Sequence, residues 1–131
     1  MLFEDGMVKS YIKRHESCLK GRVCGMADII NTYADHNCIG VCIEEPFSGQ
    51  FSSVKALFPM LGAAVLACEN NKLPWSLINL MTIKKHATGK GNAKKPDMQA
   101  AAKDRWGVDF SEDEADACWI AAYAMDTNLF G

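Results

Sequence analysis

Two apolar runs, residues 38–43 and 73–80, constrain the fold of this chain more than any other feature. The first is continuous and rich in β-branched residues, and it stops at Glu44, Glu45 and Pro46. A continuous apolar run of this length is typical of a strand buried on both faces, and a proline cannot continue a central ladder. We therefore predict two buried strands, with residues 38–43 central in the sheet.

Helical patterns alternate with these strands. The predicted helices cover residues 21–35, 54–70, 94–106 and a last segment that the capping-box pair Ser111 and Glu114 opens. Pro59 either kinks the second helix or marks its start, and Gly107 ends the third. Residues 1–14 read as a hairpin around an Asp-Gly turn. This alternation implies parallel strands joined by right-handed helical crossovers, so we predict a single α/β domain over residues 1–131.

The cysteines and the apolar segments limit where the protein works. None of the six cysteines forms a C-x-x-C pair, which favours small buried hydrophobes in a reducing compartment over zinc ligands or disulfides. The longest apolar stretch, residues 56–68, is too short to span a bilayer, and the acidic start MLFEDG lacks the basic residues of a secretory signal. We expect a cytoplasmic protein of a bacterium or its phage, without membrane contact.

A dense acidic cluster lies near the C-terminus. Its members are Asp109, Glu112, Asp113, Glu114 and Asp116. Asp113 and Asp116 are three apart and share a helix face, which continues as the apolar stripe Ala117, Ile120 and Ala124. The alternative is that these acids stabilise the start of the helix, because negative side chains in a first turn interact favourably with the helix macrodipole. This alternative accounts well for Glu112 and Glu114 and poorly for Asp116. We predict Asp113 and Asp116 as ligands of Mg²⁺ or Mn²⁺, with Glu114 less favoured.

The acidic pair Glu44 and Glu45 ends the first apolar strand. Ligands gather at the carboxyl ends of strands in open α/β sheets, so a metal ligand is expected here. Successive side chains of a strand point to opposite faces, and only one of the two can face the site. A solvated strand end is the ordinary alternative.

The segment KKHATGKGNAKK, residues 84–95, holds five lysines, one histidine and no acid. We interpret it as a glycine-containing loop whose side chains contact phosphates, which gives affinity without sequence information. A solvated basic loop is the alternative, and His86 contacts DNA or lies at the surface. The predicted DNA contacts are Lys84, Lys85, His86, Lys90 and Lys94.

Three pieces of the chain together resemble the RuvC family of Holliday-junction resolvases, in its phage-type branch. They are IEEP after a strand, LMTIKKHATGKGNAKKPDMQAAA, and DEADACWIAAYA at the head of a helix. The resemblance implies an RNase H-like three-layer fold with a mixed central sheet, and a homodimer that cuts four-way DNA junctions with Mg²⁺ or Mn²⁺. By position, Glu44, Asp113 and Asp116 resemble the family's catalytic carboxylates, and the lysine-glycine segment resembles its DNA-contacting segment.

The sequence departs from the family at its start. The family opens with a strand ending in a catalytic aspartate, whereas MLFEDGMVKSYIK resembles the second and third strands directly, and Asp5 falls in a turn. The fold is therefore expected to lack that first strand. Two functions stay open: a two-metal phosphodiesterase, or an inactive RuvC-like domain that binds branched DNA or a protein partner. A third, a small-molecule α/β enzyme, lacks any cofactor fingerprint.

Overall fold

The computed structural model describes residues 2–4, 7–10, 19–34, 37–45 and 57–131. Its elements are β1 (Leu2–Glu4), β2 (Met7–Ser10), α1 (Leu19–Ala34), β3 (Val41–Glu44), α2 (Phe58–Asn70), β4 (Trp75–Ile78), α3 (Leu80–Thr88), α4 (Lys95–Trp106) and α5 (Glu112–Asp126). Within the residues described, five helices and a small parallel sheet confirm the predicted α/β class.

The chain forms two compact units. We call residues 14–77 the crossover unit, and residues 1–13 with 78–131 the hairpin–helix unit. The strands within the described residues form two ladders of two strands each, β1 with β2 and β3 with β4. The sequence predicts one mixed sheet, whereas the described residues contain two separate two-stranded ladders.

The crossover unit is a strand–helix–strand crossover packed on α1. β3 and β4 are parallel neighbours, and the Val41 backbone N–H donates to the Pro74 carbonyl at 2.9 Å. The core consists of Ile30 from α1 with Ala64, Ala67 and Cys68 from α2. Small residues on α2 let α1 approach it closely, so this unit is held by helix–helix and helix–strand packing.

Both predicted strands are real, but they are shorter than the apolar runs. β3 begins at Val41, and its apolar side chains are half-buried. The prediction of a strand buried on both faces is therefore wrong for β3 as the structure describes it. β4 ends at Ile78 because the Asn79 side chain caps the next helix, accepting the Met81 backbone N–H at 2.8 Å. Leu80, predicted as strand, is therefore the first residue of α3.

Local signals place the helix ends correctly. Pro59 lies in the first turn of α2, so it marks the start of that helix, where a missing N–H costs nothing. α4 ends at Gly107, whose φ of 70° is the left-handed conformation that glycine adopts without strain. Ser111 caps α5, and its hydroxyl accepts the Glu114 N–H at 3.3 Å.

The lysine-rich segment is not one loop, as the sequence predicts, but a helix followed by a loop. α3 continues to Thr88 because neither glycine nor proline interrupts it before Gly89, whose φ is 82°. Ile83 is fully buried and anchors this helix in the hairpin–helix unit. Residues 89–94 form the connecting loop, and the buried Ala93 fastens its end.

The N-terminal hairpin is confirmed. β1 and β2 are antiparallel, and Glu4 pairs with Met7. Asp5, which the sequence offers as a less favoured metal ligand, lies outside the described residues.

The described cysteines are free thiols. Cys68 and Cys118 are buried as predicted, and burial raises the pKa of the Cys118 thiol to about 12. Cys24 is exposed, so the prediction of buried cysteines does not hold for it. Among the described residues, no helix is both long and apolar enough to cross a membrane.

Candidate metal and nucleic-acid site on helices α3, α4 and α5

Helices α4 and α5 lie side by side and run in the same direction. At their first turns the Lys95 Nζ is 3.2 Å from the Glu112 Oε2. Further along, the Trp119 indole N–H donates to the Met98 carbonyl at 3.3 Å. The extended segment between the helices returns along α4, where the Gln99 side-chain amide donates to the Phe110 carbonyl at 3.0 Å. The N-termini of both helices therefore meet at one end of the unit.

The buried face of α5 differs from the predicted stripe. Its buried residues are Ala115, Cys118, Trp119, Ile120 and Ala122. Ala117 is exposed and Ala124 is half-buried, so only Ile120 of the predicted stripe is in the core. Asp116 follows Ala115 in the chain and lies at the edge of this buried face, while Asp113 is exposed.

Asp116 is the acid of the cluster that the protein partly removes from water. Its burial raises the pKa of this carboxyl, and the neighbouring Asp113 and Glu112 raise it further. The ammonium groups of Lys95 and Lys84 act in the opposite direction. Within the described part of the chain, no hydrogen-bond donor satisfies the Asp116 carboxylate. A half-buried carboxylate with lysines as its only positive neighbours in that part of the chain has capacity for a further cation.

Lys95 is the functional candidate that sequence reasoning missed. The sequence prediction selects Lys94, but Lys94 is the N-cap of α4, its side chain is exposed, and its N–H donates to Asp97 at 3.0 Å. Lys95, one residue on, contacts the acidic first turn of α5. The only sequence signal is Pro96, which fixes the start of the helix; which lysine contacts α5 depends on the packing of the two helices.

The remaining basic residues are on α3 and in the loop after it. Lys84 lies on α3 within electrostatic reach of Asp116, whereas Lys85 is exposed. Lys90 is exposed in the loop, and its backbone N–H and carbonyl both contact the Thr88 hydroxyl at 3.2 Å. Lys85, Lys90 and Lys94 thus present their ammonium groups to solvent from an ordered backbone.

His86 belongs to a different cluster of side chains. Its Nε2 is 2.8 Å from the Asp126 Oδ2, and its ring packs edge-on against Trp119 and Tyr123 at centroid distances of 6.2 and 5.3 Å. Asp126 also pairs with Arg105, and these hydrogen bonds lower the pKa of its carboxyl to about 2. His86 therefore ties α3 to α5, a structural role that the sequence reading of His86 did not include.

Three other acids have distinct surroundings. The Glu114 carboxylate accepts the Ser111 backbone N–H at 3.1 Å, so it completes the capping box. Glu44 is exposed at the end of β3 in the crossover unit, and Glu45 follows it, also exposed. The structure brings Asp113 and Asp116 together on α5, and their convergence with Glu44 stays a prediction.

The donor set on α5 fits a hard divalent cation in part. The described residues contain no group of three or more His, Cys, Asp or Glu side chains arranged to hold a metal ion. Mg²⁺ in substrate complexes uses one or two protein carboxylates and takes its other oxygens from water and phosphate. Asp113 and Asp116, one helical turn apart with Asp116 half-buried, meet that smaller requirement.

Comparison with known proteins identifies the fold. No protein-family model and no curated protein sequence matches the chain. A structure of T. thermophilus RuvC in complex with a Holliday junction substrate matches with a TM-score of 0.73 and 21% identity, over 86% of this chain and 71% of that chain. A second structure of Thermus thermophilus RuvC matches with a TM-score of 0.69 and 18% identity, over 89% and 76% of the two chains. The fold is that of RuvC.

RuvC has an RNase H-like fold, so the fold that the resemblance implies is confirmed. The TM-scores of 0.69 and 0.73 establish the fold, whereas a sequence identity of 18 to 21% leaves the activity to be argued from this chain's own residues.

Proposed function

We propose that this chain binds four-way DNA junctions through α3, the loop at residues 89–94 and the start of α4, beside a site for Mg²⁺ or Mn²⁺. One observation carries the proposal: the half-buried Asp116 carboxylate lies within electrostatic reach of both Lys84 and Lys95. A site that holds a phosphodiester together with a divalent cation combines a carboxylate, which binds the cation, with ammonium groups, which bind the phosphate. The RuvC relative of the same fold is seen with a Holliday junction substrate, which supports a branched DNA ligand.

The lysines divide into two roles in this proposal. Lys85, Lys90 and Lys94 are exposed and bind the DNA backbone as point charges, which gives affinity without reading sequence. Lys84 and Lys95 lie beside the acidic residues of α5 and hold the phosphate near the reaction site. His86 has no direct contact with DNA in this proposal, because Asp126 and two aromatic rings fix its orientation.

Asp113 and Asp116 would hold the metal ion, and that Glu44 joins them stays the prediction made from the sequence. When bound, such an ion activates a water molecule and stabilises the leaving oxygen of a phosphodiester. The carboxylate of Asp116 is the anchor of the site, since its half-buried position makes ionisation without a cation unfavourable. Glu114 is excluded as a ligand in this proposal, since its carboxylate caps α5.

Cleavage by the chain as given is proposed to be weak or absent. Glu44, Asp113 and Asp116 match three of the catalytic carboxylates that the resemblance implies, and the aspartate that ends the family's first strand has no convincing match in this sequence. Binding does not need the missing ligand, because it rests on the lysines. The alternative function is therefore an inactive RuvC-like factor that binds branched DNA or a protein partner.

A homodimer is proposed through the exposed face of α2. Phe58 and Leu66 are 51 and 61% exposed, and Gly62 between them has open space around its Cα. These residues are four apart along the helix and form a narrow apolar stripe. A two-fold dimer interface uses the same patch on both subunits, so this stripe would face its own copy. Light scattering should give twice the chain mass for the wild type and the monomer mass for Leu66→Glu; a wild-type monomer would contradict the dimer.

The direct test of the proposal compares a labelled four-way junction with a linear duplex built from the same arm sequences. We expect tighter binding of the junction, weakened by Lys90→Ala. Lys103→Ala is the matched control, because Lys103 is an exposed lysine of α4 that pairs with Asp109. Equal affinity for the two DNAs, or equal effects of the two variants, would contradict the proposed function.

A further inference from the structure

The ammonium group of Lys95 occupies the neighbourhood in which a divalent cation is proposed to bind. Its Nζ is 3.2 Å from the Glu112 Oε2, and both side chains are more than half exposed. Glu112 and Asp116 are four apart on α5, so their side chains are adjacent on one helix face. Lys95, which pairs with Glu112, is therefore within electrostatic reach of the Asp116 carboxylate.

The electrostatic effects between these groups are mutual. The Lys95 ammonium pairs with Glu112 and lies within electrostatic reach of Asp113 and Asp116. Its positive charge partly offsets the negative charge of these three carboxylates, which repel one another. Lys84 also lies within electrostatic reach of Asp116.

We propose that Lys95 is the built-in counter-ion of Asp113 and Asp116, retained by Glu112, and that it competes with a divalent cation for these carboxylates. The inference rests on the metal site of the proposed function. When the cation binds, like charges repel, and the flexible Lys95 side chain leaves the carboxylates. Its ammonium then becomes available to a DNA phosphate. Metal loading and phosphate binding are coupled in this way without any covalent step.

The first test measures Mn²⁺ binding by calorimetry without DNA, at constant pH and low salt. Lys95→Gln should bind Mn²⁺ roughly threefold or more tightly than the wild type, because a positive charge next to the site is removed. Lys95→Arg, which keeps the charge, should remain close to the wild type. Lys103→Gln is the matched control, since Lys103 is an exposed lysine of α4 that pairs with Asp109. Equal affinities for Lys95→Gln and Lys103→Gln would overturn the proposal.

Glu112 is a positioning residue here, and a double-mutant cycle tests it. Glu112→Gln should weaken Mn²⁺ binding for two reasons. It removes a negative charge, and the Lys95 ammonium, no longer paired with Glu112, then pairs with Asp116. Adding Lys95→Gln to that variant should then improve Mn²⁺ affinity by more than Lys95→Gln does in the wild type. Additive effects would show that Glu112 does not retain Lys95 and would overturn that part of the proposal.

The second readout is junction affinity with and without the metal. Lys95→Gln should weaken junction binding more in Mn²⁺ than in EDTA, because the ammonium is released to phosphate only in the loaded site. An equal loss of junction affinity in Mn²⁺ and in EDTA would overturn the proposed coupling.

Asp116→Asn separates failure of this inference from failure of the proposed site. If Asp116→Asn leaves Mn²⁺ binding unchanged, or if neither the wild type nor Lys95→Gln binds Mn²⁺, the metal site and the counter-ion are both wrong. If Asp116→Asn abolishes binding while Lys95→Gln changes nothing, the metal site stands and the counter-ion alone is wrong.

Discussion

Arg105 and Asp126 form a bidentate ion pair, with Nη1 2.7 Å from Oδ2 and Nη2 2.8 Å from Oδ1. The guanidinium also lies over the rings of Trp106 and Trp119, at 5.1 and 5.4 Å from their centroids. His86 supplies a third hydrogen bond, and because an ionised carboxylate only accepts, its Nε2 is the donor. This cluster joins the ends of α4 and α5 to α3 and stabilises the opposite end of the unit from the acidic site.

The first prediction concerns this cluster. Asp126→Asn should lower the free energy of unfolding by about 2 kcal/mol, because it removes charge-assisted hydrogen bonds from a partly buried group. Asp109→Asn is the matched control, since Asp109 pairs with Lys103 at 2.9 Å but is 83% exposed, and exposed pairs contribute little. Urea unfolding of the two variants measures the difference, and equal midpoints would contradict the stabilising role.

The same cluster predicts a pH dependence of stability. The pKa of the Asp126 carboxyl falls from 3.8 to about 2 in the folded protein. A lowered folded-state pKa stabilises the fold above the unfolded value and loses that contribution as pH falls. The wild type should therefore lose more stability than Asp126→Asn between about pH 4.5 and pH 2, by about 1 kcal/mol after solvent screening of a partly exposed ion pair is allowed for. Parallel stability curves for the two proteins over this range would contradict the assignment.

The sequence predicted those features that local chemistry decides. Gly107 and the Ser111–Glu114 box fix helix ends as predicted. Of the two roles left open for Pro59, a kink or the start of the helix, the structure shows the start. The boundary between β4 and α3 was missed because the apolar pattern continues across it and the cap, Asn79, is a single polar residue.

The parts of the site that sequence reasoning missed depend on packing between distant elements. The partner of His86 is forty residues away on α5, so no local pattern indicates that Asp126 fixes its orientation. Lys95 rather than Lys94 meets the acidic turn because of how α4 packs on α5. The carboxylates Asp113 and Asp116 were selected correctly as neighbours, since helical spacing alone places them on one face.

The metal site gives a prediction for α5. Asp116→Asn should abolish or greatly weaken Mn²⁺ binding, because it removes the charge of the half-buried ligand. Asp109→Asn removes an exposed acid outside the helix and is the matched control. Calorimetric titration checks this, and unchanged binding by Asp116→Asn would refute the assignment.

Cleavage gives a further prediction. With a labelled four-way junction and Mn²⁺, the chain should cut poorly or not at all, since loss of a metal ligand costs roughly several powers of ten in rate. Glu44→Gln should be as inactive as the wild type in this assay. Robust cleavage by the wild type that disappears in Glu44→Gln would mean that the carboxylates of this chain form a complete site.

The central claim is that α3 and the loop after it bind the DNA backbone by charge. The most direct measurement is the salt dependence of junction affinity for the wild type and for the triple variant of Lys85, Lys90 and Lys94 to alanine. Each phosphate contact that is lost should flatten the slope of log affinity against log salt by about one unit. We expect the slope of log affinity against log salt to be shallower by up to about three units in the triple variant. An unchanged slope and unchanged affinity across the salt series would contradict it.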